Sequence, residues 1–258
     1  MLRHHALATA RTGATSAFII AVLTATLLTL LHLESPKGHA KAATPTASTD
    51  SYGSGTLGSW QANDKVISSA NHIRQVVATN GVVLFGDSIA VQDGAALGRL
   101  LQQRLGTTFA EHSWSGQPTS AADDAMAAWA RAYGLPHRIV MAVGSNDIFD
   151  PAAFTAQVDR AMTLAGPDRV VYWVNVQVSR TDEPTSVQVA DQRNSEWINL
   201  QLAQAALRYP NLRIVHWAEF LAARPERMHA DLRDGRHTTV PAGQNARNAL
   251  ILQAIQHG

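Results

Sequence analysis

Three short stretches of this chain carry side chains that could do nucleophilic chemistry together. The first, Val82-Val83-Leu84-Phe85-Gly86-Asp87-Ser88-Ile89, is an apolar run that ends abruptly in Gly-Asp-Ser. Four consecutive apolar residues with β-branched and aromatic members predict a buried strand, and Gly-Asp-Ser predicts a sharp turn at its carboxyl end. In open α/β sheets that edge is where ligands bind. A serine hydroxyl there is a poor nucleophile until a base takes its proton, and the base must be held in one tautomer by an acid. Asp234-Gly235-Arg236-His237 offers both, three apart in a glycine-containing turn before the last predicted helix. That spacing can put Asp234 and His237 on one side of the turn, with His237 reaching Ser88. Attack also builds an oxyanion, which needs fixed donors. The candidates are the backbone amides of Ser88 and Gly116 and the side-chain amide of Asn146, one from each of three adjacent strand tips.

Each residue also has a plainer reading. Gly-Asp-Ser is a common turn, and Asp234 could serve as a cap. Asp87 and Asp147 read as hydrogen-bonded scaffolding of their turns rather than as catalytic groups. Trp114 reads either as the wall of an acyl or sugar pocket or as a core or rim residue. His229, Asp231, Asp234 and His237 form a cluster that could suggest a metal, but ligands need a common focus and outer support that a short polar run does not supply. No metal or cofactor is expected.

The elements that must position these groups alternate along the chain. A first helix is predicted over 64–79, then the strand ending at Phe85, then a helix to Leu105 with Leu97, Leu100, Leu101 and Leu105 on one stripe. A weak strand over 107–112 leads to Ser113-Trp114-Ser115-Gly116-Gln117-Pro118, and an alanine-rich helix runs to Tyr133. Strand 138–143 ends in Gly144-Ser145-Asn146-Asp147. A helix over 151–164, a strand over 170–178, a polar loop over 179–189, a helix over 191–206, a strand over 212–217 and a helix over 241–256 complete the pattern. Strands separated by helices demand parallel pairing with right-handed crossovers. The expected fold is therefore α/β, three-layer and doubly wound, with a five-stranded parallel sheet in the order 2-1-3-4-5. That order places Ser88 and Asn146 on either side of the crevice between strands one and three.

Composition sets the remaining bounds. The formal net charge of +1 supplies no long-range field, so no nucleic-acid partner is implied. Cysteine is absent, which excludes disulfides, thiolate nucleophiles and cysteine-ligated zinc. Arg3 and Arg11 precede an uncharged, mostly apolar stretch that opens on Ala14 and closes on Leu33, the pattern of an export signal. At about 20 residues the stretch is long enough to span a bilayer, yet Ala40-Lys41-Ala42 offers a cleavage pattern. Both outcomes, a secreted protein and one anchored to the membrane through this span, put the rest of the chain outside the cytoplasm. Residues 1–42 are thus expected to be a signal peptide or anchor, 43–62 a flexible Ser/Thr/Gly linker, and 63–258 one domain. A monomer is expected.

Gly86-Asp87-Ser88-Ile89, Gly116, Gly144-Ser145-Asn146-Asp147 and Asp234-Gly235-Arg236-His237 resemble blocks I, II, III and V of the SGNH (GDSL-like) hydrolase superfamily, in that order. The resemblance runs from Asn80 to Gly258, with Ile89 where leucine is usual and a lone glycine standing for block II. It implies Ser88 as nucleophile, His237 as general base, Asp234 as its partner, and Ser88, Gly116 and Asn146 as the oxyanion hole. The pattern over 170–180, 194–200, 214–217 and 234–243 is similar to small SGNH domains of cell-envelope acyltransferase proteins. The implied function is an exported serine esterase or deacylase that cleaves an acyl ester, such as an O-acetyl ester, of a carbohydrate, lipid or envelope component. The alternatives are an O-acyltransferase acting on an envelope glycan and a non-catalytic glycan-binding module.

Overall fold

Strand β2, Val82–Gly86, is buried at every position because helices cover both of its faces. Val83 and Phe85 pack into one apolar layer, and Val82 and Leu84 into the other, so a continuous apolar run suits this central parallel strand. The protein is seen in a computed structural model that describes residues 51–258. The export segment, its cleavage pattern and the first part of the expected linker lie outside the described residues. Among the described residues, no helix is long and apolar enough to cross a membrane.

The elements follow as β1 (Lys65–Ile67), α1 (Ala70–Ala78), β2, α2 (Ser88–Leu105), β3 (Phe109–Trp114), α3 (Thr119–Tyr133) and β4 (Arg138–Ala142). Two 3-10 turns then precede α4 (Phe154–Ala165), β5 (Val170–Val174), α5 (Thr185–Arg208), β6 (Leu212–Val215), α6 (Trp217–Ala222), α7 (Arg227–Ala230) and α8 (Ala242–His257). The sheet order is β1-β3-β2-β4-β5-β6. Its last five members are parallel neighbours, the expected 2-1-3-4-5 order. Gly86 ends β2 level with Ser113 on β3 and Ala142 on β4. The three chain tips beyond them therefore emerge side by side.

The sheet corrects the five-stranded expectation to six. β1 adds an antiparallel edge against β3, with Lys65 opposite Trp114 and Ile67 opposite His112. All three β1 residues are exposed, so no apolar alternation marked the strand, and 64–79 read as one helix. β5 stops at Val174 rather than 178, because the Asn175 side chain turns the chain by accepting from the Ala218 amide and donating to Glu219. α5 opens at Thr185, inside the stretch read as a loop.

The flexible linker expected over 43–62 does not describe its second half. Ser54 is buried, and its hydroxyl accepts from the Asn194 side-chain amide at 2.8 Å. Arg180 donates to the Ser54 carbonyl and Arg193 to the Tyr52 carbonyl, while Tyr52 meets Trp197 edge-on with centroids 5.9 Å apart. Side-chain hydrogen bonds to backbone, rather than apolar burial, hold this strap on α5, which is why a stretch poor in large apolar residues can be ordered.

Candidate active site

Ser88 is the first residue of α2, and Asp87 is the N-cap: its Oδ1 accepts the Ile89 amide at 3.0 Å. The other Asp87 oxygen accepts from the Ser145 hydroxyl, tying the β2 tip to the β4 tip. Gln117 ties the third tip in by donating to the Gly86 carbonyl. Asp147 accepts the Thr119 amide at 3.0 Å and the Thr119 hydroxyl at 2.8 Å, so it caps α3 in place of Pro118, which has no capping side chain. Asp87 and Asp147 are thus the hydrogen-bonded struts of the three tips. Burial pushes the Asp147 carboxyl up to about 6 against the pull of its two Thr119 bonds.

His237 and Asp234 arrive from the loop before α8. Ser88 Oγ lies 2.8 Å from His237 Nε2, and His237 Nδ1 lies 2.8 Å from Asp234 Oδ2. Burial alone would raise the Asp234 carboxyl. The His237 amide at 2.8 Å, the His237 ring and the Arg236 amide at 3.1 Å outweigh it and hold Asp234 below the usual carboxylate range. An ionised carboxylate only accepts, so Nδ1 carries the ring proton and Nε2 presents its lone pair to the serine hydroxyl. Gly235 makes this turn possible. It sits at φ +77°, and a Cβ there would stand 1.8 Å from the Ser179 carbonyl oxygen.

Ser88, Gly116, Asn146 and His237 all line one cavity of about 510 Å³. The Ser88 amide is the first of a helix and has no intrahelical acceptor. Gly116 sits at φ +83° with a virtual Cβ 2.8 Å from the Trp60 Cβ, so only glycine fits beneath the strap. Asn146 spends one N–H on the Gln117 carbonyl at 3.1 Å, which aims its amide and leaves the other N–H for a ligand. Of the five residues singled out from the sequence, Ser88, His237 and Asp234 are joined by hydrogen bonds, and Gly116 and Asn146 line the cavity on which Ser88 and His237 open. His229 lies exposed on α7, apart from them, and among the described residues no group of three His, Asp or Glu side chains is arranged to hold a metal.

Several wall residues escaped sequence reasoning. Leu57, Trp60 and Asn63 of the strap line the cavity, as do Phe149, Arg233 and Arg236. Trp114 does not line it. Trp114 stands edge-on behind Trp60 at 5.1 Å between centroids and donates its indole N–H to the Asn63 carbonyl, so it supports the wall that Trp60 forms. The signal for the strap was Leu57 and Trp60 themselves, bulky residues at the end of an otherwise small and polar stretch.

The sequence matches no protein-family model and no curated protein. Solved structures match by shape. A GDSL-like lipase from Bacteroides thetaiotaomicron superposes with a TM-score of 0.57 at 17% identity over 70% of this chain and 89% of its own. A member of the lipolytic G-D-S-L family from Veillonella parvula gives 0.57 at 18% over 68% and 98%. The C-terminal catalytic domain of a peptidoglycan O-acetyltransferase from Streptococcus pneumoniae, seen with a methylsulfonyl adduct, gives 0.54 at 19% over 69% and 93%. The chain shares its fold with these solved structures.

Proposed function

We propose that the protein is a serine esterase that removes acyl groups from an alcohol through an acyl-enzyme on Ser88. The observation that carries this reading is the line Ser88 Oγ, His237 Nε2, His237 Nδ1, Asp234 Oδ2, with both links at 2.8 Å, opening on the cavity that Gly116 and Asn146 share. In the first half-reaction Ser88 Oγ attacks the ester carbonyl while Nε2 takes its proton. The carbonyl oxygen becomes an oxyanion facing the Ser88 and Gly116 amides and the Asn146 side chain. Collapse expels the alcohol, to which Nε2 returns the proton. Water then repeats the cycle from the same side and releases the acid. Asp234 stays ionised throughout and orients the imidazolium. No metal or cofactor enters these steps.

We place the domain outside the cytoplasm, on the strength of Arg3 and Arg11 ahead of the uncharged stretch from 14 to 33. The envelope is then where its ester is found. A transferase reading is favoured by the similarity to the pneumococcal O-acetyltransferase domain: a sugar hydroxyl would replace water in the second half-reaction with the same residues.

Labelling with a fluorophosphonate followed by peptide mass spectrometry tests the nucleophile and reads the mature N-terminus together. The label is expected on Ser88, and Ser88→Ala should lower turnover of 4-nitrophenyl acetate about 10⁴-fold or more. Unchanged turnover in Ser88→Ala would overturn the reading. Absent labelling with retained glycan binding would favour the binding module instead. Adding a sugar acceptor separates transfer from hydrolysis by how the acyl group partitions.

A further inference from the structure

Among the described residues, the charged side chains lining the cavity are Arg233 and Arg236, and no Asp or Glu lines it. Against a whole-chain net charge of +1 this is a local concentration of positive charge. The two arginines are held differently. Arg233 leans on Asp234, Nε to Oδ2 at 3.5 Å, from an exposed position. That carboxylate is already committed to the His237 ring and to two backbone amides.

Arg236 has no carboxylate partner among the described residues. Its backbone amide donates to Asp234, but its Nε–H is buried with no acceptor. Buried donors are almost always paired, as the largely buried Arg180 is with Asp191; Arg247 Nε is also buried without an acceptor, but Arg247 has Asp93 3.9 Å away and does not line this cavity. Nε–H itself is closed off, and what the cavity-lining guanidinium has left to offer a ligand is its terminal Nη pair, a planar fork suited to a carboxylate or a phosphate.

The placement also says which part of an ester meets it. The acyl oxygen turns toward Gly116 and Asn146, at the tips of β3 and β4. The leaving alcohol must lie against His237, which protonates it. Arg236 lines the cavity from the same loop that carries His237, the loop against which the alcohol leaves. We infer that the site takes esters whose alcohol portion carries an anionic group, a carboxylate or a phosphate, which Arg236 binds with Arg233 beside it. This rests on the esterase reading above and adds the class of alcohol to it.

The test compares kcat/KM for matched acetate esters with the full chain: 4-acetoxybenzoate against methyl 4-acetoxybenzoate, and 4-acetoxyphenyl phosphate against phenyl acetate. The anionic member is expected to be favoured about tenfold or more, chiefly through KM, in one arm or both. The arm with the larger ratio names the group. Arg236→Gln should bring that ratio close to one, Arg236→Lys should keep part of it, and added salt should shrink it. A ratio near one in the unaltered protein, or one that Arg236→Gln does not move, overturns the inference. If no ester is turned over, the esterase reading has failed by itself. Calorimetric titration of Ser88→Ala with 4-acetoxybenzoate and 4-acetoxyphenyl phosphate then decides the anion site separately: saturable binding lost on adding Arg236→Gln supports it, and no binding of either overturns it.

Discussion

Ser88 and His237 meet at 2.8 Å, yet the two are held by different kinds of structure. Ser88 stands on the tip of a central strand, and the bonds that fix it run between neighbouring tips through Asp87, Ser145, Gln117, Asp147 and Thr119, all buried. His237 stands in the loop between α7 and α8, outside the sheet. That loop is held by Ser179 donating to the Gly235 carbonyl at 2.9 Å, Thr181 donating to the Asp234 carbonyl at 3.1 Å and Arg233 donating to the His237 carbonyl at 2.9 Å. The Thr238 hydroxyl, next in the chain, reaches Asp93 of α2 at 2.9 Å. Ser88 is thus part of the core, whereas His237 is docked onto it. Changes at the base should cost rate before they cost folding, and changes under the nucleophile should do the reverse.

Asp234→Asn probes the docked half most severely. Asparagine can still accept the two backbone amides, but it no longer forces the proton onto Nδ1. Turnover of a simple aryl ester should fall about 10³- to 10⁴-fold while thermal unfolding changes little. A rate within tenfold of the parent would mean that Asp234 is only a cap. Gly235→Ala attacks the same half through its backbone, because the new Cβ would stand 1.8 Å from the Ser179 carbonyl oxygen. The turn must move, and a displacement near 1 Å costs about 10²-fold in rate. Retained activity would show that the loop absorbs the methyl without moving His237. On the opposite wall, Trp60→Ala should raise KM several-fold with kcat little changed. Trp60 shapes the cavity without touching the hydrogen-bonded line, and an equal fall in kcat would place the strap in the chemistry.

The same division explains what could be read from sequence. β2, β4 and β5 announce themselves as apolar runs because burial on both faces leaves no other choice. Their order follows from the crossovers, and the tips that carry Ser88 and Asn146 follow with them. The base was legible because Asp234 and His237 lie close in sequence. Two kinds of element were not legible. β1 is an exposed edge whose three residues carry no apolar alternation, and its Lys65 ammonium sits 4.1 Å above the Trp114 ring instead. The strap is held by arginine and asparagine side chains 126 to 142 residues away, on α5 and the loop before it. Polar bonds of that range leave no periodicity. Arg236 was visible as a letter inside the base motif, but only the fold shows that its Nε–H is buried without an acceptor.

Acidity separates the halves once more, and by the smallest effect. Asp234 is held below its ordinary range, so the stability it contributes is present above the unfolded carboxylate value and is lost as pH falls through its folded value. The carboxyls behind the nucleophile have the opposite sign. Asp123 on α3 is fully buried with neither oxygen bonded, and burial, opposed by Arg160 and reinforced by Asp147 and Asp124, pushes it up to about 8. Burial likewise pushes Glu111 on β3 up to about 7, despite its bond from Ser113. A carboxyl whose folded value lies above its unfolded one binds its proton more tightly in the native state. Its contribution is therefore complete below about pH 4 and is lost as pH rises, the loss being finished above about pH 8 for Asp123. Asp123→Asn removes the proton that must be lost. It should match the parent near pH 4 and unfold at higher temperature at pH 9, by roughly 3 kcal/mol or more in stability, with ester turnover unaltered at neutral pH because Asp123 does not line the cavity. Melting curves taken from pH 4 to 9 check this, and parallel curves for the two proteins would show that Asp123 ionises as freely in the fold as outside it.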